Sequence, residues 1–281
     1  MYELEYVRKR KRRKAAAITG GVSVVVISAL SIVAFLGRHV GVFTVSLDTG
    51  KVSLALSQKS SFVTSTSFLR VDELKSFNEY SYSYIMNEGE DIIDSESSDS
   101  TYGAIKDENG SIKSLKFFKY TFYVKNVGDT PARYTFSLNI LESYADTYGN
   151  TLDRTLRVAI YDNDASATTH NKKVYAKPLA SPALDVDGQP HLDENGNPDC
   201  SAPISISEYD ASRTSVDFEG YAEQFRTARN IAFYTVPSLN VNQIRRYTIV
   251  TWLEGFASED GSTAPKGASI NLGVEINAYE I

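Results

Sequence analysis

The chain has 281 residues, of which 42% are hydrophobic and 23% charged, so its composition excludes a globally disordered protein. The 18 Tyr and 13 Phe favour β-strands, since aromatic side chains suit half-buried pleated surfaces. The single cysteine, Cys200, excludes an intramolecular disulfide, so the fold must be stabilised by core packing.

A basic tail, residues 1–14, opens an otherwise acidic chain. Its basic residues are Arg8, Lys9, Arg10, Lys11, Arg12, Arg13 and Lys14. The whole chain has 29 basic and 35 acidic residues and a formal net charge of −6. Without the tail's seven basic and two acidic residues, the remainder carries about −11. Such an acidic domain repels phosphate backbones, so nucleic acid is not an expected partner.

Residues 15–37 follow the tail directly and contain no charge. As a helix, these twenty-three residues extend roughly 34 Å, slightly more than a typical hydrocarbon core. The positive-inside rule then places the N-terminus in the cytoplasm and the C-terminal domain outside the cell. We therefore predict an uncleaved signal-anchor, with a single transmembrane helix at 15–37 in the bilayer. The tail is expected to contact anionic lipid headgroups.

Three alternatives to this anchor fit the sequence less well. A buried core helix is seldom apolar all round. A cleaved signal peptide has a shorter apolar region and small residues at its cleavage site, whereas Phe35, Leu36 and Gly37 make a poor site. A nuclear localisation run does not explain the apolar segment that follows it.

Residues 38–281 change to the two-residue alternation of β-strands. Residues 42–56 predict a hairpin, with its turn at 48–50, and the alternating Tyr and Ser of 80–84 predict a strand. The Asp, Glu and Ser of 87–100 are typical of a solvated loop.

The clearest pair of strands is predicted at 115–124 and 133–141, joined by turn residues at 126–131. One or two helical turns are predicted at 222–228. Further strands are predicted at 156–161, 173–176, 204–207, 230–236, 245–253 and 268–278.

No helical pattern alternates regularly with these strands, so the sequence predicts a mainly β fold. The expected architecture is an antiparallel β-sandwich of jelly-roll or Ig-like type with long loops, spanning 38–281. A loop insertion near 178–203 contains five Pro. It is either a loop on one sandwich or a hinge between two subdomains.

Catalytic motifs are absent from the sequence, which indicates a protein without enzymatic activity. His39, His170 and His191 lack the spacing of a zinc peptidase, and no nucleophile elbow or phosphate-binding loop occurs. Cys200 has no nearby His and is predicted to be an exposed, unpaired thiol. Trp252 lies within an apolar run and is predicted to be core.

A calcium site is the one cofactor hypothesis. Oxygen ligands alternate at Asp193, Asn195, Asn197 and Asp199, as they do in calcium loops. However, Pro198 stands where an EF-hand loop has Gly. The competing interpretation is a set of ordinary turns, at Asn195–Gly196 and at Asp187–Gly188. Asp162, Asn163 and Asp164 have the same two interpretations, as a turn or as calcium ligands.

The segment 120–129, Tyr-Thr-Phe-Tyr-Val-Lys-Asn-Val-Gly-Asp, precedes Tyr-Thr-Phe-Ser-Leu at 134–138. Together they resemble a unit of strand, Asn-x-Gly turn and strand in extracytoplasmic β-sandwiches of Gram-positive bacteria, including the camelysin and TasA group. The long apolar segment and basic flank depart from those secreted fibre subunits. The closer resemblance is to uncharacterised single-span surface proteins of Firmicutes-type bacteria, which implies a surface location and no particular activity.

The sequence thus predicts a membrane-anchored bacterial cell-surface protein whose ectodomain has a structural or adhesive role. Two alternative functions are left open. The first is an extracellular carbohydrate- or peptide-binding module, assisted by Ca²⁺ or not, and the second is an extracellular hydrolase. The expected partners are the bilayer and an unknown extracellular protein or glycan.

Overall fold

The computed structural model describes only part of the chain. The described residues are 40–47, 53–72, 74–75, 77, 79–80, 82–83, 85–86, 104–106, 112–164, 171–184, 188–205, 218–255 and 267–280. The described residues after Val40 belong to one compact unit, Gly41–Ile281. The predicted tail at 1–14, the predicted transmembrane helix at 15–37 and the acidic loop at 87–100 lie outside the described residues. Among the residues that are described, no helix is long and apolar enough to cross a bilayer.

The unit Gly41–Ile281 is mainly β, as predicted, and contains very little helix. In chain order, its strands are β1 (Val40–Leu47), β2 (Leu54–Ser57), β3 (Phe68–Asp72), β4 (Leu74–Lys75), β5 (Glu79–Tyr80), β6 (Ala104–Lys106), β7 (Ile112–Leu115), β8 (Phe118–Asn126), β9 (Ala132–Tyr144), β10 (Leu156–Asp164), β11 (Lys172–Ala176), β12 (Pro203–Ser205), β13 (Phe218–Tyr221), β14 (Glu223–Gln224), β15 (Asn230–Leu239), β16 (Ile244–Glu254) and β17 (Ser269–Glu280). A single 3₁₀ turn, Leu152–Arg154, precedes β10 in the described part.

Two large sheets contain most of these strands. The first sheet has the order β15-β9-β17-β1-β3, with β4 also paired to β17. The second has the order β14-β11-β10-β16-β8-β2, with β5 also paired to β16. Most pairings are antiparallel, as predicted, but β1 with β17, β11 with β14 and β5 with β16 are parallel. The sheets are therefore mixed at their margins.

The main core lies between the two sheets. On β9, the apolar side chains at even positions, Tyr134, Phe136 and Leu138, are all buried, which confirms the predicted alternation. The hydroxyls of Tyr134 and Tyr247 share a hydrogen bond of 2.8 Å, and the rings of Phe136 and Tyr247 stack at 4.8 Å. Because Tyr247 belongs to the second sheet, these contacts join the two layers. Burial of each such side chain stabilises the fold by about 1.5–3 kcal/mol.

A second cluster covers the outer face of the second sheet. Here Tyr161 and Trp252, on neighbouring strands, are buried against Tyr82, Ile85 and Met86. The prediction that Trp252 is core is confirmed. Strands β10 and β16 are thus buried on both faces, which explains their nearly continuous apolar sequences.

The predicted strand at 80–84 is wrong beyond Tyr80, because residues 82–83 and 85–86 are helical. Tyr82, Ile85 and Met86 have the spacing of one helical face, and all three are buried. The ring of Tyr82 lies 5.9 Å from that of Trp252. Burial against the second sheet therefore prevailed over the local alternation of Tyr and Ser.

The predicted hairpin at 42–56 is also wrong. Strand β1 pairs with β17 in the first sheet, whereas β2 pairs with β8 in the second. The same holds for the predicted pair at 115–124 and 133–141. Both strands are present as β8 and β9, but they belong to different sheets. Alternation predicts a strand and its buried face, but it does not predict the partner strand.

The connection from β8 to β9, residues 126–132, is therefore an arch between the sheets. Asn126 is fully buried, and its side-chain amide donates to the carbonyls of Thr130 at 2.8 Å and Leu239 at 2.9 Å. The oxygen of the same side-chain amide accepts a hydrogen bond from the backbone N–H of Gly128 at 3.0 Å. The Asn-x-Gly sequence thus supplies the internal hydrogen bonds that hold this arch closed.

The remaining predicted strands agree with β10, β11, β12, β15, β16 and β17, within a few residues at each end. The helical turn predicted at 222–228 is wrong, since Glu223–Gln224 forms a short strand beside β11. In the loop insertion, the described residues form only isolated bridges, Leu184 with Pro190 and Leu192 with Pro198.

Candidate functional site

A groove of about 860 Å³ opens at one margin of the two sheets. Its walls are β11 and β14 of the second sheet and β15 of the first. In the described part, β15 has a strand neighbour only on its β9 side, while β11 is covered on its outer side only by the two residues of β14. Neither margin closes over the other, so the space between the layers stays open here.

The floor of the groove is apolar. Ile160, Ile231 and Ala232 line it and are almost completely buried, and Tyr175 packs against the same core. Burial raises the pKa of Tyr175 to about 12, and the negative charges of Glu223 and Asp162 act in the same direction. The floor therefore presents a neutral tyrosine and aliphatic groups to any occupant.

A buried polar group lies beside this floor. The hydroxyl of Tyr234 is inaccessible to solvent and forms no hydrogen bond of full geometry among the described residues, but the Asp162 carboxylate lies close enough to interact with it. Burial, followed by the charge of Asp162, raises the pKa of Tyr234 well above the ordinary value. The ring of Tyr234 stacks on Phe136 at 4.9 Å, so the side chain is fixed in place. Tyr234 is therefore a second neutral tyrosine beside the floor.

Two carboxylates line the groove, and each is paired with a cation. The Asp162 carboxylate accepts a hydrogen bond from the Arg245 guanidinium. Burial lowers the pKa of Arg245, but the hydrogen bond and charge of Asp162 outweigh it, so the net shift is upward. At the exposed rim, the Lys173 ammonium lies 3.1 Å from the Glu223 carboxylate.

Arg226 and Lys172 are the lining cations for which the described residues show no carboxylate partner, and Arg226 lies at the rim. Its guanidinium carbon lies 4.4 Å from the centre of the Phe233 ring, in a cation–π contact. Within the described part of the chain, no carboxylate pairs with it, and both Arg226 and Phe233 are exposed. The groove therefore carries an excess positive charge in a domain that is acidic overall.

The residues proposed for calcium lie outside the groove lining. The Asp193 carboxylate accepts the backbone N–H groups of Asn195 at 2.9 Å and Asn197 at 2.8 Å, and these bonds lower its pKa. Asn195–Gly196 is a turn, as the competing interpretation predicted. The described residues include no group of three or more His, Cys, Asp or Glu side chains that would hold a metal ion. The calcium site stays a prediction.

Asp199 instead stabilises the groove wall through hydrogen bonds. Its carboxylate accepts hydrogen bonds from Gln224 at 2.9 Å and Ser201 at 3.0 Å, and lies 3.2 Å from the His191 imidazole. The His191 ring stacks on Tyr221. Gln224 lines the groove, so the loop insertion near 178–203 supports β14 from behind.

The other candidates have structural positions. Asp162 and Asn163, predicted as turn or calcium residues, lie in β10 opposite Tyr247 and Arg246 of β16. Cys200 is a free thiol but only partly exposed, so the predicted exposure is not fully met. His39 and His170 lie outside the described residues.

No family model matches this chain, and no curated protein matches it. The resemblance to surface proteins of Firmicutes-type bacteria therefore rests on the sequence motif alone.

Proposed function

We propose that the chain is a membrane-anchored bacterial cell-surface protein whose ectodomain is a non-enzymatic binding module. The ectodomain is a β-sandwich of the jelly-roll or Ig-like kind, and its binding site is the groove between β11, β14 and β15. The observation that carries the proposal is the open groove, with its apolar floor and with Arg226 at its rim. An apolar concavity with a few convergent polar groups is the usual form of a ligand site.

The anchor and the outer location rest on the sequence. The uncharged residues 15–37 are long enough to span a bilayer, and the basic tail defines the cytoplasmic side. This orientation presents the acidic, cysteine-poor domain to the exterior, where a bacterial envelope supplies peptide and glycan partners.

A hydrolase is disfavoured by the two groove carboxylates. A glycosidase requires one carboxylic acid that donates a proton and a second carboxylate that acts as base or nucleophile. Here Asp162 is bound to Arg245 and Glu223 to Lys173, and each carboxylate serves an ion pair. The groove therefore suits binding better than acid–base chemistry.

A purely structural role as a fibre subunit is disfavoured by the margin of the first sheet. Strand β15 has irregular register between Asn230 and Ala232 and again between Val236 and Leu239, and it contains Pro237. Bulges and proline on an edge strand oppose sheet-to-sheet assembly. An adhesive role through the groove remains consistent with these features.

Filling the groove tests the proposal. Asn171 is exposed and lines the groove, whereas Val63 is 85% exposed and does not. We expect the full-length chain in detergent micelles to be retained on isolated envelope material of a single-membrane bacterium. Asn171→Trp should lower this retention about tenfold, because the indole would occupy part of the groove and remove contacts with the ligand. The matched variant Val63→Trp should bind like the unchanged protein.

Equal retention of Asn171→Trp and Val63→Trp would show that the groove is not the binding site. Protease added to intact cells tests the topology separately. Digestion of the C-terminal domain is expected, and its survival would contradict the surface location.

A further inference from the structure

We propose that the groove binds an extended acidic peptide, and that Arg226 recognises a carboxylate of this peptide. The inference rests on the binding function proposed above and names the class of ligand. It follows from three properties of the groove: its charge, the state of its aromatic rings and the strands that form its walls.

Charge selects an anionic ligand. Asp162 and Glu223 are already bound to cations, which leaves Arg226 and Lys172 as groove cations without an acidic partner among the described residues. The Lys172 ammonium donates to the Tyr82 hydroxyl, whereas the Arg226 guanidinium lies over the Phe233 ring at the exposed rim. A guanidinium presents a planar set of donors that matches a carboxylate in a bidentate manner. Contact with the Phe233 ring holds the guanidinium in one orientation, so less conformational entropy is lost on binding.

The aromatic rings are not free to act as platforms for sugars. The face of Phe233 is covered by Arg226, and the ring of Tyr234 is stacked on Phe136. Tyr175 packs against the core between the sheets. A glycan would find few open aromatic faces here, and Trp252 is completely buried.

The walls suit an extended peptide. The stretch of β15 between its two irregularities keeps a regular register with β9 from Ala232 to Val236. Ala232, Phe233 and Tyr234, which belong to this stretch, line the groove. Edge strands present main-chain N–H and C=O groups that bind extended peptides, while side-chain pockets give specificity.

The test uses the full-length chain in detergent micelles and three probes. The first is a short peptide of alternating Thr and Glu, the second is its Thr and Gln counterpart, and the third is a short oligogalacturonate. We expect the acidic peptide to bind about tenfold more tightly than the Gln peptide, the value of one charge-assisted contact. Arg226→Gln should remove most of this preference, and the remainder should be due to Lys172, which also lines the groove.

Arg229 supplies the matched control. It is exposed in the same short segment as Arg226 but does not line the groove. Arg229→Gln makes the same change in charge and should preserve the preference for the acidic peptide. Loss of preference in both variants would indicate a general effect of charge and would overturn the role of Arg226.

The remaining outcomes separate the two proposals. Equal binding of the two peptides would overturn carboxylate recognition. Binding of oligogalacturonate through Arg226, without binding of the acidic peptide, would overturn the peptide class and support the groove as a binding site. If no probe binds, the acidic-peptide inference is wrong, and the retention of Asn171→Trp on envelope material decides the binding function independently.

Discussion

Two regions of the protein that adjoin β15 differ in how completely their buried polar groups are hydrogen-bonded. At the arch, the Asn126 side chain forms hydrogen bonds with Thr130, Gly128 and Leu239, the last residue of β15. At the groove, the Tyr234 hydroxyl on the same strand is buried and forms no hydrogen bond of full geometry, although the Asp162 carboxylate lies nearby. The arch therefore satisfies its buried polar group completely, whereas the groove does so only in part.

The largest contrast is expected between two phenylalanines. Phe136 is fully buried between the sheets, whereas Phe233 at the groove rim is 43% exposed. Phe136→Ala should lower the free energy of unfolding by about 4 kcal/mol, through lost burial and the cavity left behind. Phe233→Ala should lower it by less than about 1 kcal/mol. Urea unfolding measures both, and equal losses would contradict the division between a closed core and an open groove.

A smaller effect is expected at the arch. Asn126→Ala leaves the carbonyls of Thr130 and Leu239 and the N–H of Gly128 without their partner, so we expect a loss of about 2–3 kcal/mol. The matched change Asp193→Ala removes an exposed turn bond and should cost no more than about 1 kcal/mol. If the two losses are alike, the buried amide does not close the arch as described.

The sharpest comparison joins two buried tyrosines. Tyr134→Phe removes one hydroxyl of the pair with Tyr247 and leaves the other unsatisfied, so about 2 kcal/mol of stability should be lost. Tyr234→Phe removes a hydroxyl that forms no hydrogen bond of full geometry and should change stability by less than about 1 kcal/mol. A clear loss of stability in Tyr234→Phe would mean that the nearby Asp162 carboxylate accepts a full hydrogen bond from it.

Alkaline pH should weaken the fold, because it ionises tyrosines that are neutral in the folded protein. Tyr175 has a pKa raised from 10.0 to about 12, first by burial and then by the charges of Glu223 and Asp162. A raised tyrosine pKa means that the neutral form is stabilised in the folded state. This stabilisation is fully present below the unfolded value of 10.0 and is lost as pH rises towards 12.

Tyr134 and Tyr247, whose pKa values burial also raises, act in the same direction. Urea unfolding at a series of pH values, with near-ultraviolet absorbance to follow tyrosinate, measures the effect. The prediction would be contradicted if all tyrosines of the folded protein ionised at their ordinary pKa and the free energy of unfolding did not change with pH.

Much of the secondary structure was predictable from the sequence, because local alternation reports burial. The inward side chains of β9 and the core position of Trp252 follow from the pattern of apolar residues. The pairing of strands was not predictable, since an arch and a hairpin share the same turn residues. Asn126 and Gly128 fit either connection, and only the distant strands β15 and β16 decide between them.

The groove was not predictable either. Asp162, Lys173, Glu223 and Arg226 come from three separate segments, and Glu223 and Arg226 lie where a helical turn was expected. Their meeting depends on β11, β14 and β15 lying at the same margin of the two sheets. A charged residue in a strand-rich sequence gives no local sign of such a position, because most of them are simply solvated.

Hydrogen exchange would show directly which surface of the protein is covered on binding. The full-length chain would be compared with and without envelope material that retains it. We expect slower exchange of backbone amides in β11, β14 and β15 and unchanged exchange at the arch. Protection that avoids these three strands and appears on another surface would contradict the groove as the binding site.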